Sequence, residues 1–137
     1  MSGTLPPGAM AFSKVPFMHL LGIRREYSQD GHARLVVETR RELENMIHAM
    51  HGGVVATLVD VVMASAAVSK IDFAKTAVTL NLNTSYLSPG RGSLTADGEF
   101  VSVDDDGDIV QCRAHVYDEQ GRTVARSVGS FRYLDHR

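Results

Sequence analysis

NMIHAMHGGVVATLVDVVMASAA, residues 45–67, is the stretch whose reading decides the fold. From Gly53 to Ser69 it contains no turn-forming residue and is apolar on nearly every side, which predicts a buried helix of four to five turns rather than a surface one. Val54, Val55, Val59, Val61, Val62 and Val68 are β-branched and lower helix propensity, so a strand is the competing reading. Length and the small residues Ala56, Ala64, Ala66 and Ala67 favour the helix. One carboxylate, Asp60, interrupts the run. A charge there is costly unless a partner or water reaches it. Its neighbours one turn away, Ala56, Thr57, Met63 and Ala64, cannot neutralise it. Either Asp60 bonds Thr57 or an adjacent strand, or it serves a site. His51-Gly52-Gly53 stands at the expected helix start, where unpaired N–H groups and partial positive charge collect. A glycine there either makes the turn or lets a ligand oxygen approach the backbone.

Outward from this helix, period-two alternation and turn residues mark strands. Ser13 is a candidate cap for a short helix through Leu20, with Pro16 early in it and Phe17, Leu20 and Leu21 as its covering face. Ile23 to Tyr27 and Ala33 to Arg40 read as strands joined at Ser28-Gln29-Asp30-Gly31. Four more strands follow the helix: Thr76 to Leu87, Gly92 to Val103, Ile109 to Tyr117 and Thr123 to Leu134. Hairpin connections imply an antiparallel sheet, and so apolar a helix requires that sheet to wrap around it. The expectation is an α+β domain over residues 13–137, behind a flexible lead-in at 1–12 rich in Gly and Pro.

Composition excludes several classes. A chain of 137 residues with 44% hydrophobic and 22% charged residues suits one globular domain. Net charge is −2 with Lys and Arg scattered, against the basic stripe that nucleic acid requires. The single cysteine, Cys112, forbids an internal disulfide and fits a reducing compartment. The N-terminal residues lack the pattern of a signal peptide, and no uninterrupted apolar run approaches the ~20 residues of a membrane span, so a cytoplasmic protein is expected. His48 and His51 lack accompanying Cys, Asp or Glu ligands, which argues against a metal. Cys112 reads as a packing residue rather than a nucleophile.

Gly52 and Asp60 are eight residues apart, roughly 12 Å along one helix. One reacting carbonyl cannot touch both within one chain. If both act on it, two helices contribute, as in a symmetric dimer with antiparallel helices.

Asn45, His51-Gly52-Gly53, Leu58, Asp60 and Tyr86-Leu87-Ser88-Pro89, in this strand order, resemble the hot-dog fold thioesterases of the PaaI-like, phenylacetate-pathway type, from about Pro16 to Tyr133. The resemblance implies an acyl-CoA thioesterase that forms a homodimer and a homotetramer. Asp60 would activate water or attack the thioester directly, and Gly52 N–H would polarise the carbonyl. Asn45 would help to hold the same oxygen or the loop, and His51 would organise the loop. Thr79 would position the water, with Thr76 and Thr84 as alternatives. Asn45 and Gly52 would come from one subunit, Asp60 and Thr79 from the other. Gly53, Met46 and Met50 would line the acyl pocket and Arg91 would meet a coenzyme A phosphate. Coenzyme A is part of the substrate, and no cofactor or metal is implied. His48 stands where relatives often carry Gly, and the acidic turn Asp104-Asp105-Asp106-Gly107-Asp108 departs from a basic family pattern. A non-catalytic acyl-CoA binder and a hot-dog dehydratase or hydratase are the rival readings. A ligand-sensing transcription factor is disfavoured.

Overall fold

The computed structural model describes residues 11–136. The expected lead-in therefore lies largely outside the described residues. Phe12 opens a 3₁₀ turn, Phe12–Lys14, and its ring lies 5.0 Å from the Arg25 guanidinium. A short helix α1 follows at Pro16–Leu21, then β1 (Arg24–Gln29) and β2 (His32–Glu38). The long helix α2 spans Gly52–Lys70, and four strands complete the chain: β3 (Thr76–Tyr86), β4 (Ser93–Val103), β5 (Ile109–Tyr117) and β6 (Thr123–Leu134). All six strands form one antiparallel sheet in the order β1-β2-β4-β5-β6-β3, curved around α2.

Two expectations for the N-terminal helix are corrected. Ser13 lies in the preceding turn and caps nothing; Val15 is the N-cap of α1, without a side-chain bond, and Pro16 supplies the pre-set φ of the first turn. Its buried face is Met18 and Leu21, whereas Phe17 and Leu20 are exposed. Gly22 ends the helix at φ 72°, and Arg40 closes the end by donating to Leu20 O and Leu21 O.

The core is a sandwich of α2 against the sheet. Val55, Leu58, Val59, Val62, Met63, Ala66 and Ala67 meet Leu35, Val37, Leu94, Ala96, Val110, Val116 and Phe131, all essentially inaccessible to solvent. Helix carbonyls are also held directly: Ser28 Oγ donates to Ser65 O at 2.9 Å and Tyr133 Oη to Ala67 O at 2.5 Å. Length and hydropathy alone would let α2 cross a membrane, although Asp60 keeps its apolar run from being uninterrupted. Asp60 in mid-helix and the sheet packed along its apolar rows make it a core helix instead.

β4 passes α2 so closely that Gly98 is required. A Cβ there would stand 2.5 Å from Val62 O and 2.8 Å from Val62 C, both backbone atoms that cannot swing away. Gly98→Ala is expected to destabilise the fold by about 1–3 kcal/mol, visible as a lower urea midpoint at unchanged m-value; an unchanged midpoint would contradict this packing.

One face of α2 is not enclosed. Ala56, Thr57, Asp60, Val61, Ala64 and Val68 form a half-buried stripe, and β3 beside it is an edge strand with Val78 and Leu80 exposed. An eleven-residue edge strand offers a row of free backbone groups to another chain.

Candidate functional site

The helix start shows how its orphan donors are used. His51 is the N-cap, and its Nδ1 accepts from Gly53 N at 2.8 Å. His51 O accepts from Val54 N at 2.9 Å and Val55 N at 3.2 Å. Of the four N–H groups a helix start leaves over, only Gly52 N–H has no acceptor among the described residues. His51→Ala is expected to cost about 1 kcal/mol through the lost cap, with His51→Asn restoring most of it; chemical denaturation of the two variants measures this, and equal losses would deny the cap.

The loop before the helix is built around Asn45. Its Oδ1 accepts from Ile47 N at 3.0 Å and Ala49 N at 3.1 Å, which leaves the amide NH₂ as the only part free to meet a ligand. His48 within this loop adopts φ 60°, the left-handed conformation that glycine favours, and bonds Glu44 at 3.2 Å. Arg91 donates to Ile47 O at 3.1 Å, tying the loop to the β3–β4 connection. Met50 is buried, while Met46 is 97% exposed and is not among the residues that line the cleft beside the helix start.

Asn45, Met50 and Gly52 border one cleft of about 310 Å³, whose other walls include Val55, Tyr86 and Leu87. Gly53 stands outside it, its N–H spent on His51.

Asp60 lies elsewhere, in an open depression of about 420 Å³ between the uncovered stripe of α2 and the start of β3. Thr79 Oγ1 donates to Asp60 Oδ1 at 2.5 Å, while Oδ2 has no partner among the described residues. The other hydroxyls are engaged differently: Thr57 bonds Gly53 O at 2.9 Å and Thr84 meets Ser127 at 2.9 Å. Thr79 rather than Thr76 or Thr84 therefore faces the carboxylate. Each chain thus carries a donor half at the start of α2 and a carboxylate half two turns further along, on one rigid element. A donor beside a cleft of mixed lining can hold a polarised oxygen, and a carboxylate with one free oxygen can take a proton.

Cys112 is buried within the sheet and burial pushes its thiol up to about 12, which suits packing, not nucleophilic attack. The acidic turn is a hairpin tip: Asp104 Oδ1 accepts from Asp108 N and Ile109 N, and these bonds hold its carboxyl below the usual range.

Sequence reasoning did not assign Tyr86 a role, although its hydroxyl donates to Gly52 O at 3.3 Å.

A six-stranded antiparallel sheet curved around one long helix is the hot-dog fold, and solved structures agree. The PaaI protein from the phenylacetic acid degradation operon of Escherichia coli superposes with TM-score 0.82 at 21% identity, covering 91% of this chain and 88% of that one. A Shewanella oneidensis protein described as related to the thioesterase superfamily matches at TM-score 0.76 and 26% identity, covering 88% of each chain. A curated Halobacterium salinarum protein, provisionally named an esterase, is 33% identical over 126 residues, 84% of this chain and 82% of that protein. These likenesses and the fold define a thioesterase-like hot-dog protein. Residues 8–131 match the family described as "Domain of unknown function (DUF4442)", and the chain belongs to it.

Proposed function

We propose that the chain is an acyl-CoA thioesterase working as a homodimer. The carrying observation is the division of α2 into a free N–H beside a cleft and a Thr-bound carboxylate on an uncovered face. The two halves are roughly 12 Å apart along one helix, so one carbonyl meets both only when a second copy supplies the carboxylate. Pairing at the β3 edge with antiparallel helices covers the open stripe and creates two such sites.

In each site Gly52 N–H and the Asn45 NH₂ hold the thioester oxygen. Asp60 of the other subunit takes a proton from water as the water oxygen bonds the carbonyl carbon, and Thr79 fixes the carboxylate. The oxyanion collapses, the C–S bond breaks, and the proton returns to the departing thiolate. Direct attack by Asp60 is the alternative first step and leads through an anhydride to the same products. Sulfur donates little resonance to the carbonyl and thiolate leaves readily, so a base and an oxyanion site suffice without a metal or redox cofactor. Cytoplasmic action and a dimer of dimers complete the proposal.

The test is thiol release from phenylacetyl-, benzoyl-, hexanoyl- and palmitoyl-CoA. Release that depends on Asp60 supports the reading. Binding of these esters without release would make the protein an acyl-CoA binder and overturn it.

A further inference from the structure

β3 carries two residues on its helix-facing side that strict alternation would separate. Thr79 and Tyr86 are seven positions apart, an odd number, so a regular strand would point them to opposite faces. The register explains the outcome: Thr79 pairs with Phe131 and Asn81 with Ser130, so Leu80 is an extra, bulged residue. Thr79 consequently reaches Asp60 and Tyr86 reaches Gly52 from the same side of the sheet. The bulge aims a second side chain at the helix start.

Tyr86 lies against the free donor. Its Cε1 stands 3.6 Å from where a Gly52 Cβ would be, and its hydroxyl meets Gly52 O at the long distance of 3.3 Å. Tyr86 is 55% exposed and lines the cleft together with Met50, Val55 and Val124. An oxygen held by Gly52 N–H places the attached acyl group beside this ring.

We infer that Tyr86 is the specificity-determining residue of the cleft, restricting it to compact acyl groups, a single ring or a short chain. The cleft's volume, about 310 Å³, is at the small end of ligand sites. Tyr86 walls the cleft on the β3 side, and its ring face suits an aromatic or branched acyl group. This inference rests on the thioesterase reading and adds its substrate class.

The experiment compares wild type, Tyr86→Phe and Tyr86→Ala. Hydrolysis of phenylacetyl-, hexanoyl- and dodecanoyl-CoA is measured, with equilibrium binding of the same three esters to each protein. Tyr86→Ala is expected to raise the dodecanoyl-to-hexanoyl ratio of kcat/KM about tenfold or more, whereas Tyr86→Phe keeps the wild-type ranking. General damage lowers all three substrates together and does not move that ratio. An active wild type with an unchanged ratio in Tyr86→Ala overturns the role of Tyr86 and leaves the thioesterase standing. If wild type releases no thiol, the thioesterase reading fails, and the ratio of dissociation constants decides the role of Tyr86. Absence of both release and binding overturns both.

Discussion

Asp60→Asn lowers kcat for acyl-CoA hydrolysis by about a hundredfold or more, while KM and the assembly change little. The amide has the shape of the carboxylate and its oxygen still accepts from Thr79 Oγ1, so the contact seen at 2.5 Å survives. What disappears is the ability to take a proton or to attack carbon. The substitution is also safe for the fold, because Asp60 lies on the half-buried stripe rather than in the closed core. Removing a charge from an apolar face is expected to leave thermal stability equal or higher. Loss of turnover with retained stability is the signature of a group kept for chemistry. Thiol release, size-exclusion elution and a melting curve on the same preparation measure all three. Equal activity in both proteins would make Asp60 structural and dismiss the site.

The sequence revealed most of the framework because its signals are local. Alternating β4 and β5, Asp-Gly and Gln-Gly turns, and an apolar run too long for a strand each specify their own element. Asp60 was legible as the one residue contradicting its surroundings. What escaped depends on contacts between elements. The Leu80 bulge has no composition cue, since it arises from how β3 pairs with β6, and so the placement of Tyr86 could not be read. That Arg91 donates to Ile47 O depends on how two loops meet, which no local pattern shows. Met46 and Met50 share a loop, and only the backbone pairing of that loop buries one and exposes the other. Ser13 is a good capping residue, but Val15 and Pro16 set the start of α1 two residues later. The open stripe on α2 was concealed by its apolarity, because Ala, Val and Thr read alike whether they meet a sheet or a second chain.

Gly52→Pro is expected to reduce turnover about 10²- to 10³-fold without disturbing the helix. Proline is favoured at the first helical position because its missing N–H is surplus there. His51, at φ −57° and ψ 137°, already has the extended conformation a residue before proline adopts. A side-chain carbon at Gly52 meets only Tyr86 Cε1, at an ordinary 3.6 Å. The substitution therefore deletes the one N–H of the helix start that has no acceptor among the described residues and little else, and a folded, dimeric, inactive protein is the predicted result. Combining it with Asp60→Asn tests how each site is composed. If Gly52 and Asp60 act from different subunits, a mixed dimer of the two inactive variants carries one site with both groups intact and one with neither. Random reassociation makes half of the dimers mixed, so about one quarter of all sites regain function. If instead both groups act within one chain, every site in every dimer lacks one of them and mixing restores nothing. Activity after co-refolding the pair, against each variant refolded alone, distinguishes the two arrangements.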